Sequence, residues 1–115
     1  MKFETFEDIV IWKKSRIMVL DIYRVLGTCR DYSFRDQIQR AVVSIMNNIA
    51  EGFERKGNKE FCKFLYIAKG SCGEVRSMLY LAKDLGYVDE EQAIEFSKNA
   101  QEISKMISGL IKTLR

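Results

Sequence analysis

Between Phe61 and Ala82 the apolar residues Phe61, Leu65, Ala68, Cys72, Val75, Leu79 and Ala82 alternate steps of four and three. That is a period of about 3.5 residues, the seam along which helices pack in antiparallel bundles and coiled coils. No strand-like alternation competes with it. Proline is absent from the 115 residues, so nothing in the backbone chemistry interrupts a long helix. Glycine does the punctuation: Gly27, Gly57 and Gly86 each follow a helical pattern, where C-terminal caps stand.

Four helical segments result, over about 6–26, 34–55, 59–85 and 90–114. Trp12, Val19, Ile22, Tyr23 and Leu26 share one face of the first, with Thr5 and Asp8 at its start. Ile38, Val42, Ile45, Ile49 and Phe53 make the stripe of the second, and Ser33 with Asp36 resembles a capping box. Asn58 stands where the third would be capped. Phe96, Ala100, Ile103, Ile107, Leu110 and Leu114 repeat the four-three rhythm in the fourth, which Asp89 and Gln92 can cap while Val88 staples onto Ala93. Short connections make sequential helices antiparallel neighbours. The expected fold is all-α: one domain over residues 1–115, an up-down-up-down four-helix bundle. A chain of this size buries enough surface to fold without a metal or disulfide staple.

The second and third segments carry more apolar residues than one core needs. Val43, Met46, Ala50 and Phe53 form a second set on segment two; Phe64, Ile67, Met78, Leu81 and Leu85 lie beside the seam of segment three. Burying such a side chain is worth about 1.5–3 kcal/mol, and several left in water invite association. Self-association follows, with Val43, Met46, Phe64, Ile67 and Met78 as the candidate interface. Gly70 and Gly73 mark a close helix crossing or a local kink, and the crossing is favoured, since each costs about 1 kcal/mol relative to alanine inside a helix.

Asn48, Glu51, Ser71 and Glu74 fall at inward or half-inward positions. They are expected to form a hydrogen-bonded network between segments two and three, with Arg40 or Arg55 neutralising a carboxylate. The chain has no histidine. That removes Ser-His-Asp and Cys-His catalysis and the Glu-x-x-His motif of ferritin-like metal sites. No phosphate-binding glycine motif is present. Neither an enzyme nor a metal or cofactor site is expected. Cys29, Cys62 and Cys72 are odd in number and form no CxxC pair, which fits a reducing cytoplasm. The start has no apolar core of a signal peptide, and the longest uncharged stretch, 41–50, is too short to span a bilayer.

Net charge is only +3, from 19 Lys+Arg and 16 Asp+Glu. The distribution says more than the sum. Arg55, Lys56, Lys59 and Lys63 crowd the junction of segments two and three, whereas Asp89, Glu90, Glu91 and Glu95 make the start of segment four acidic. Repeated around an axis, the basic cluster becomes a ring of positive potential for a phosphate backbone. A protein-interaction adaptor, docking a partner helix on the leftover apolar face without nucleic acid, is the competing reading.

The motif Gln37-Ile38-x-Arg40-Ala41-x-x-Ser44-Ile45-x-x-Asn48-Ile49-Ala50-Glu51-Gly52 resembles the signature of the four-helix-bundle proteins encoded in 23S rRNA intervening sequences. Arg55 and the run Lys59-Glu60-Phe61-x-x-Phe64-Leu65-x-x-Ala68-x-Gly70-Ser71-x-x-Glu74 continue it, and Ile11-Trp12-Lys13 with Ile22-Tyr23 open it. The likeness covers nearly the whole chain. It implies a ring-shaped homo-oligomer, a pentamer, with a non-enzymatic role; related bundles that engage nucleic acid and a reverse transcriptase extend the analogy to RNA or a ribonucleoprotein. Where members often carry a proline before helix two, this chain has Arg30-Asp31-Tyr32.

Overall fold

The computed structural model describes residues 3–115. Its elements are a 3₁₀ turn at Phe6–Asp8 and four helices: α1 (Val10–Leu26), α2 (Tyr32–Glu54), α3 (Asn58–Asp84) and α4 (Glu90–Leu114). The molecule measures 43 × 20 × 20 Å. A 27-residue helix is about 40 Å long, so α3 must run along the long axis. α2 packs on α3, α3 on α4, and α1 on both α2 and α4. None of the described helices is long and apolar enough to cross a membrane.

The seam of α3 lies wholly in the core: Leu65, Ala68, Cys72, Val75, Leu79 and Ala82 are fully buried and Phe61 nearly so. Ile38, Val42, Ile45 and Ile49 of α2 and the six stripe residues of α4 join it. Burial pushes the Cys72 thiol up to about 12, so this cysteine is an inert apolar filler.

The first segment differs from expectation. Ile9 is extended (φ −78°, ψ 120°) and separates the 3₁₀ turn from α1, because its side chain turns into the core. Thr5 makes no capping bond to the backbone; its hydroxyl donates instead to Asp8 Oδ2 at 3.4 Å. The buried face of α1 is Ile11, Ser15, Met18, Ile22 and Leu26, while Tyr23 is exposed. Ser15 is tolerated inside because its hydroxyl donates to the Ile11 carbonyl at 2.6 Å.

The caps are also partly redistributed. Asp31, not Ser33, caps α2 by accepting the Phe34 N–H at 3.1 Å. Its other oxygen accepts the Tyr87 hydroxyl at 2.7 Å, tying the 27–31 connection to the 85–89 connection at one end. Asn58 is the first residue of α3 rather than its cap; Gly57 precedes it at φ +95°. Gly86 does end α3, at φ +76°, with the Tyr87 N–H bonded to the Ala82 carbonyl (2.8 Å) and its own N–H to that of Lys83 (3.0 Å), the Schellman arrangement. Gly27, by contrast, keeps right-handed helical angles. Asp89 and Gln92 form the expected reciprocal box, and Val88 and Ala93 are both buried beside it.

Candidate functional site

The residues singled out above gather along the contact of α2 with α3. Gln37 Nε2 donates to Glu74 Oε2 at 3.4 Å, and Ser71 Oγ donates to Ser44 Oγ at 2.9 Å. Further along, Gly52 meets Phe64, and the Phe53 and Phe61 rings stand edge to face at 6.0 Å. As the number on α2 rises, that of its α3 partner falls. Asn48 joins this ladder from its own helix: its amide donates to the Ser44 carbonyl (2.8 Å) and hydroxyl (2.9 Å). Ser44 is therefore the hub of the polar contact, a role its small size hides in the sequence. A hydroxyl recurring three or four residues from Asn48 on the same face is the signal that could have found it.

Glu51 and Glu74 lie outside this hub. Both are exposed, Glu51 beside Arg55 at 3.4 Å and Glu74 beside Gln37. Carboxylates stay in water unless a buried cation compensates them, and Arg40 is itself exposed. The partners of the two glutamates stand at opposite ends of α2: Gln37 lies in its first turns and Arg55 just past its last residue, Glu54, which is 17 residues or about 25 Å from Gln37. Glu51 and Glu74 do not converge on one reacting bond.

The close crossing is at Gly52, not at Gly70 or Gly73. A Cβ built on Gly52 would stand 2.6 Å from Phe64 Cβ and 3.1 Å from Phe61 Cδ1. Gly70 and Gly73 are exposed and have nothing within 4 Å of such a Cβ. The sequence gives each glycine its helix but not the neighbour it faces.

Of the apolar candidates, Ile67 is 52% exposed, Val43, Met46 and Phe64 are half-buried, and Met78 belongs to the core. Leu81 and Leu85, on the face of Ile67, are 46% and 50% exposed. The second set of α2 is thus largely absorbed by the subunit, and α3 keeps the uncovered part. Val10, Ile17 and Leu20 add an exposed apolar face on α1 that the periodicity reading did not isolate.

Arg55, Lys56, Lys59 and Lys63 are all exposed around the short 55–57 connection. Two of the four are engaged: Arg55 with Glu51 and over the Phe64 ring (5.0 Å), and Lys63 with Glu60 at 3.2 Å. Tyr23, Asp36, Gln39, Arg40 and Asn47 border an open groove of about 600 Å³ on the outer side of α2. No group of three or more potential metal ligands occurs among the described residues.

The comparisons with known proteins agree with this architecture. A crystal structure described as a protein of unknown function from the S23 ribosomal protein family of Bacteroides thetaiotaomicron superposes with a TM-score of 0.83 at 27% identity. The match covers 90% of this chain and 99% of that one. No curated protein matches. The family model for 23S rRNA-intervening sequence protein matches residues 7–109, which include every rung of the α2–α3 ladder, and the chain belongs to that family.

Proposed function

We propose that the protein is a non-enzymatic scaffold: an up-down-up-down bundle that assembles with further copies into a ring, working in the cytoplasm and holding RNA or a ribonucleoprotein. Connections of three to five residues favour the alternating course, since they cannot retrace a bundle 43 Å long. The observation that carries the assembly is a second seam on α3. Ile67, Ser71, Glu74, Met78, Leu81 and Leu85 repeat steps of four and three beside the core seam, and Ile67, Leu81 and Leu85 remain about half exposed. Such a stripe on a helix already packed on both sides fits another helix in knobs-into-holes fashion. Met78 of this stripe is buried, and the half-buried Val43, Met46 and Phe64 complete the interface in this reading. Five copies is the number that the family likeness implies. The lack of histidine and the separation of Glu51 from Glu74 support a role without catalysis.

Light scattering on the purified chain tests this. A mass several times 13.4 kDa is expected, and Ile67→Glu with Leu81→Glu should reduce it to one subunit without unfolding. A wild type that stays a lone particle at high concentration overturns the assembly; if it then co-purifies tightly with one partner helix, the adaptor reading replaces it. Salt-sensitive retention of RNA is expected too, weakened by Lys59→Glu with Lys63→Glu if the connection cluster contributes.

A further inference from the structure

We propose that the channel between α3 and α4 binds single-stranded RNA, with phosphates along two rows of free cations and a base on Tyr80. This rests on the reading of the protein as an RNA-holding scaffold, and it moves the main contact away from the 55–57 connection. Lys69, Arg76 and Lys83 are spaced by seven residues on α3, and Lys98, Lys105 and Lys112 by seven on α4. Seven residues are two turns, about 10.5 Å, so each row lies along one side of its helix for about 21 Å. The α3 row and Lys98 border the channel, and Lys105 and Lys112 continue the α4 row beyond it. Lys69 Nζ donates across it to Ser104 Oγ at 3.2 Å, and Arg76, Lys83, Lys98 and Tyr80 line one cavity of about 240 Å³.

The charges there are uncommitted. Among the described residues none of the six cations has a carboxylate within 4 Å, whereas Arg55 and Lys63 of the connection each have one. Glu90 is the carboxylate on the cavity wall; Lys98 also borders an adjoining cavity with Glu91 and Glu95, without an ion pair to either, and Glu102 of α4 is held on the α1 side by Lys14 at 2.8 Å. Cations about a Debye length apart repel one another little in physiological salt, yet a polyanion threading the channel meets each in turn.

The aromatic placement points to unpaired bases. Tyr80 is 67% exposed beside Arg76 and Lys83, and Tyr66, 52% exposed, precedes Lys69 on the same side of α3. Rings interleaved with cations along a groove are the stacking platform used for single strands, whose bases are free to leave the stack. Ser97 and Gln101 on the cavity wall, with Ser104 beside Lys69, offer donors and acceptors to a 2′-hydroxyl, the group that separates RNA from DNA.

Fluorescence anisotropy with a labelled 20-nucleotide oligouridylate, and its deoxy counterpart, decides the matter on the full chain across a salt series. Arg76→Gln with Lys98→Gln is expected to lower the log–log salt slope by about 1.4, and to weaken binding on the order of tenfold near 0.15 M salt. Tyr80→Ala should weaken it with the slope unchanged. Lys83→Gln with Lys105→Gln, at two exposed positions, repeats the charge test should the first pair disturb folding; light scattering verifies each variant's assembly. Unchanged affinity and slope in both double variants, with loss in Lys59→Gln and Lys63→Gln, overturns the channel and leaves the RNA-holding scaffold standing. Wild type without salt-sensitive binding overturns both. Equal affinity for the deoxy strand removes the assignment to RNA.

Discussion

The two flanks of α3 solve opposite problems. Toward α2 the contact is tight and closed: Gly52 brings the backbone against Phe64, Ser44 gathers the polar groups of Asn48 and Ser71, and no buried side-chain nitrogen or oxygen among the described residues lacks a partner. Toward α4 the outer edge is open: Gly73 faces nothing within 4 Å, and among the described residues the cations Lys69 and Arg76 flanking it form no ion pair. One flank is organised to hold the subunit together; the other leaves side chains free for something outside it. The motif that marks the family, from Gln37 to Gly52 and on to Glu74, falls mostly on the closed flank. Much of the signature is therefore explained by packing, and function must be sought in what the packing leaves uncovered.

The sharpest way to break this contrast is at its glycines. Gly52→Ala would gain about 1 kcal/mol of helix propensity but push a Cβ to 2.6 Å from Phe64 Cβ, an atom fixed to the backbone. Overpacking of that kind costs about 1–3 kcal/mol, and thermal or urea unfolding should show net destabilisation. A Gly52→Ala variant as stable as wild type would mean that the helices can part freely there. Ser44→Ala comes next. It removes the acceptor of Ser71 and one of the two acceptors of Asn48, leaving Ser71 buried, for a loss of about 1 kcal/mol in the same assay.

Gly73→Ala tests the open flank with the opposite sign. With nothing within 4 Å, the new methyl meets only solvent, and the helix gains up to about 1 kcal/mol. Stability should rise while assembly stays intact. A fall in native mass instead would place another copy's backbone on this flank and remove the channel from solution.

The core was readable from the sequence because helical periodicity reports burial directly: every seam residue of α3 and α4 named from spacing is buried. What periodicity cannot report is which neighbour a face meets. Gly52 and Gly70 have the same chemistry in the chain, yet only one faces a phenylalanine. Ser33 and Asp31 are both competent caps, and the choice went to Asp31, whose second oxygen takes the Tyr87 hydroxyl, a partner 56 residues away. A seven-residue spacing of cations is no signal by itself. Its meaning depends on α3 and α4 lying side by side and on the lack of ion pairs to those cations among the described residues. Nearness to a stripe predicts inward positions for Glu51 and Glu74, but a residue one step off the stripe can turn its charge to water, as both do.

The Asp31–Tyr87 bond links the two flanks at one end, since it joins the start of α2 to the turn between α3 and α4. Its effect is the smallest and is best read through pH. The Tyr87 hydroxyl, then the Phe34 N–H, hold the Asp31 carboxyl below its ordinary value of 3.8. The same bond holds the Tyr87 hydroxyl above its ordinary value of 10.0. A depressed carboxyl stabilises the fold above 3.8 and loses that contribution as pH falls through its folded value. A raised phenol stabilises it below 10.0 and loses the contribution as pH rises through its folded value. Tyr87→Phe keeps the ring against Phe34, at 5.2 Å, and removes only the hydroxyl. The difference in melting temperature between wild type and Tyr87→Phe should therefore be level from about pH 5 to pH 9 and shrink on both sides. A difference that persists undiminished well below pH 3 would show that the hydroxyl acts through packing, and that the two flanks are joined at this end by the Phe34–Tyr87 contact rather than by the charge it caps.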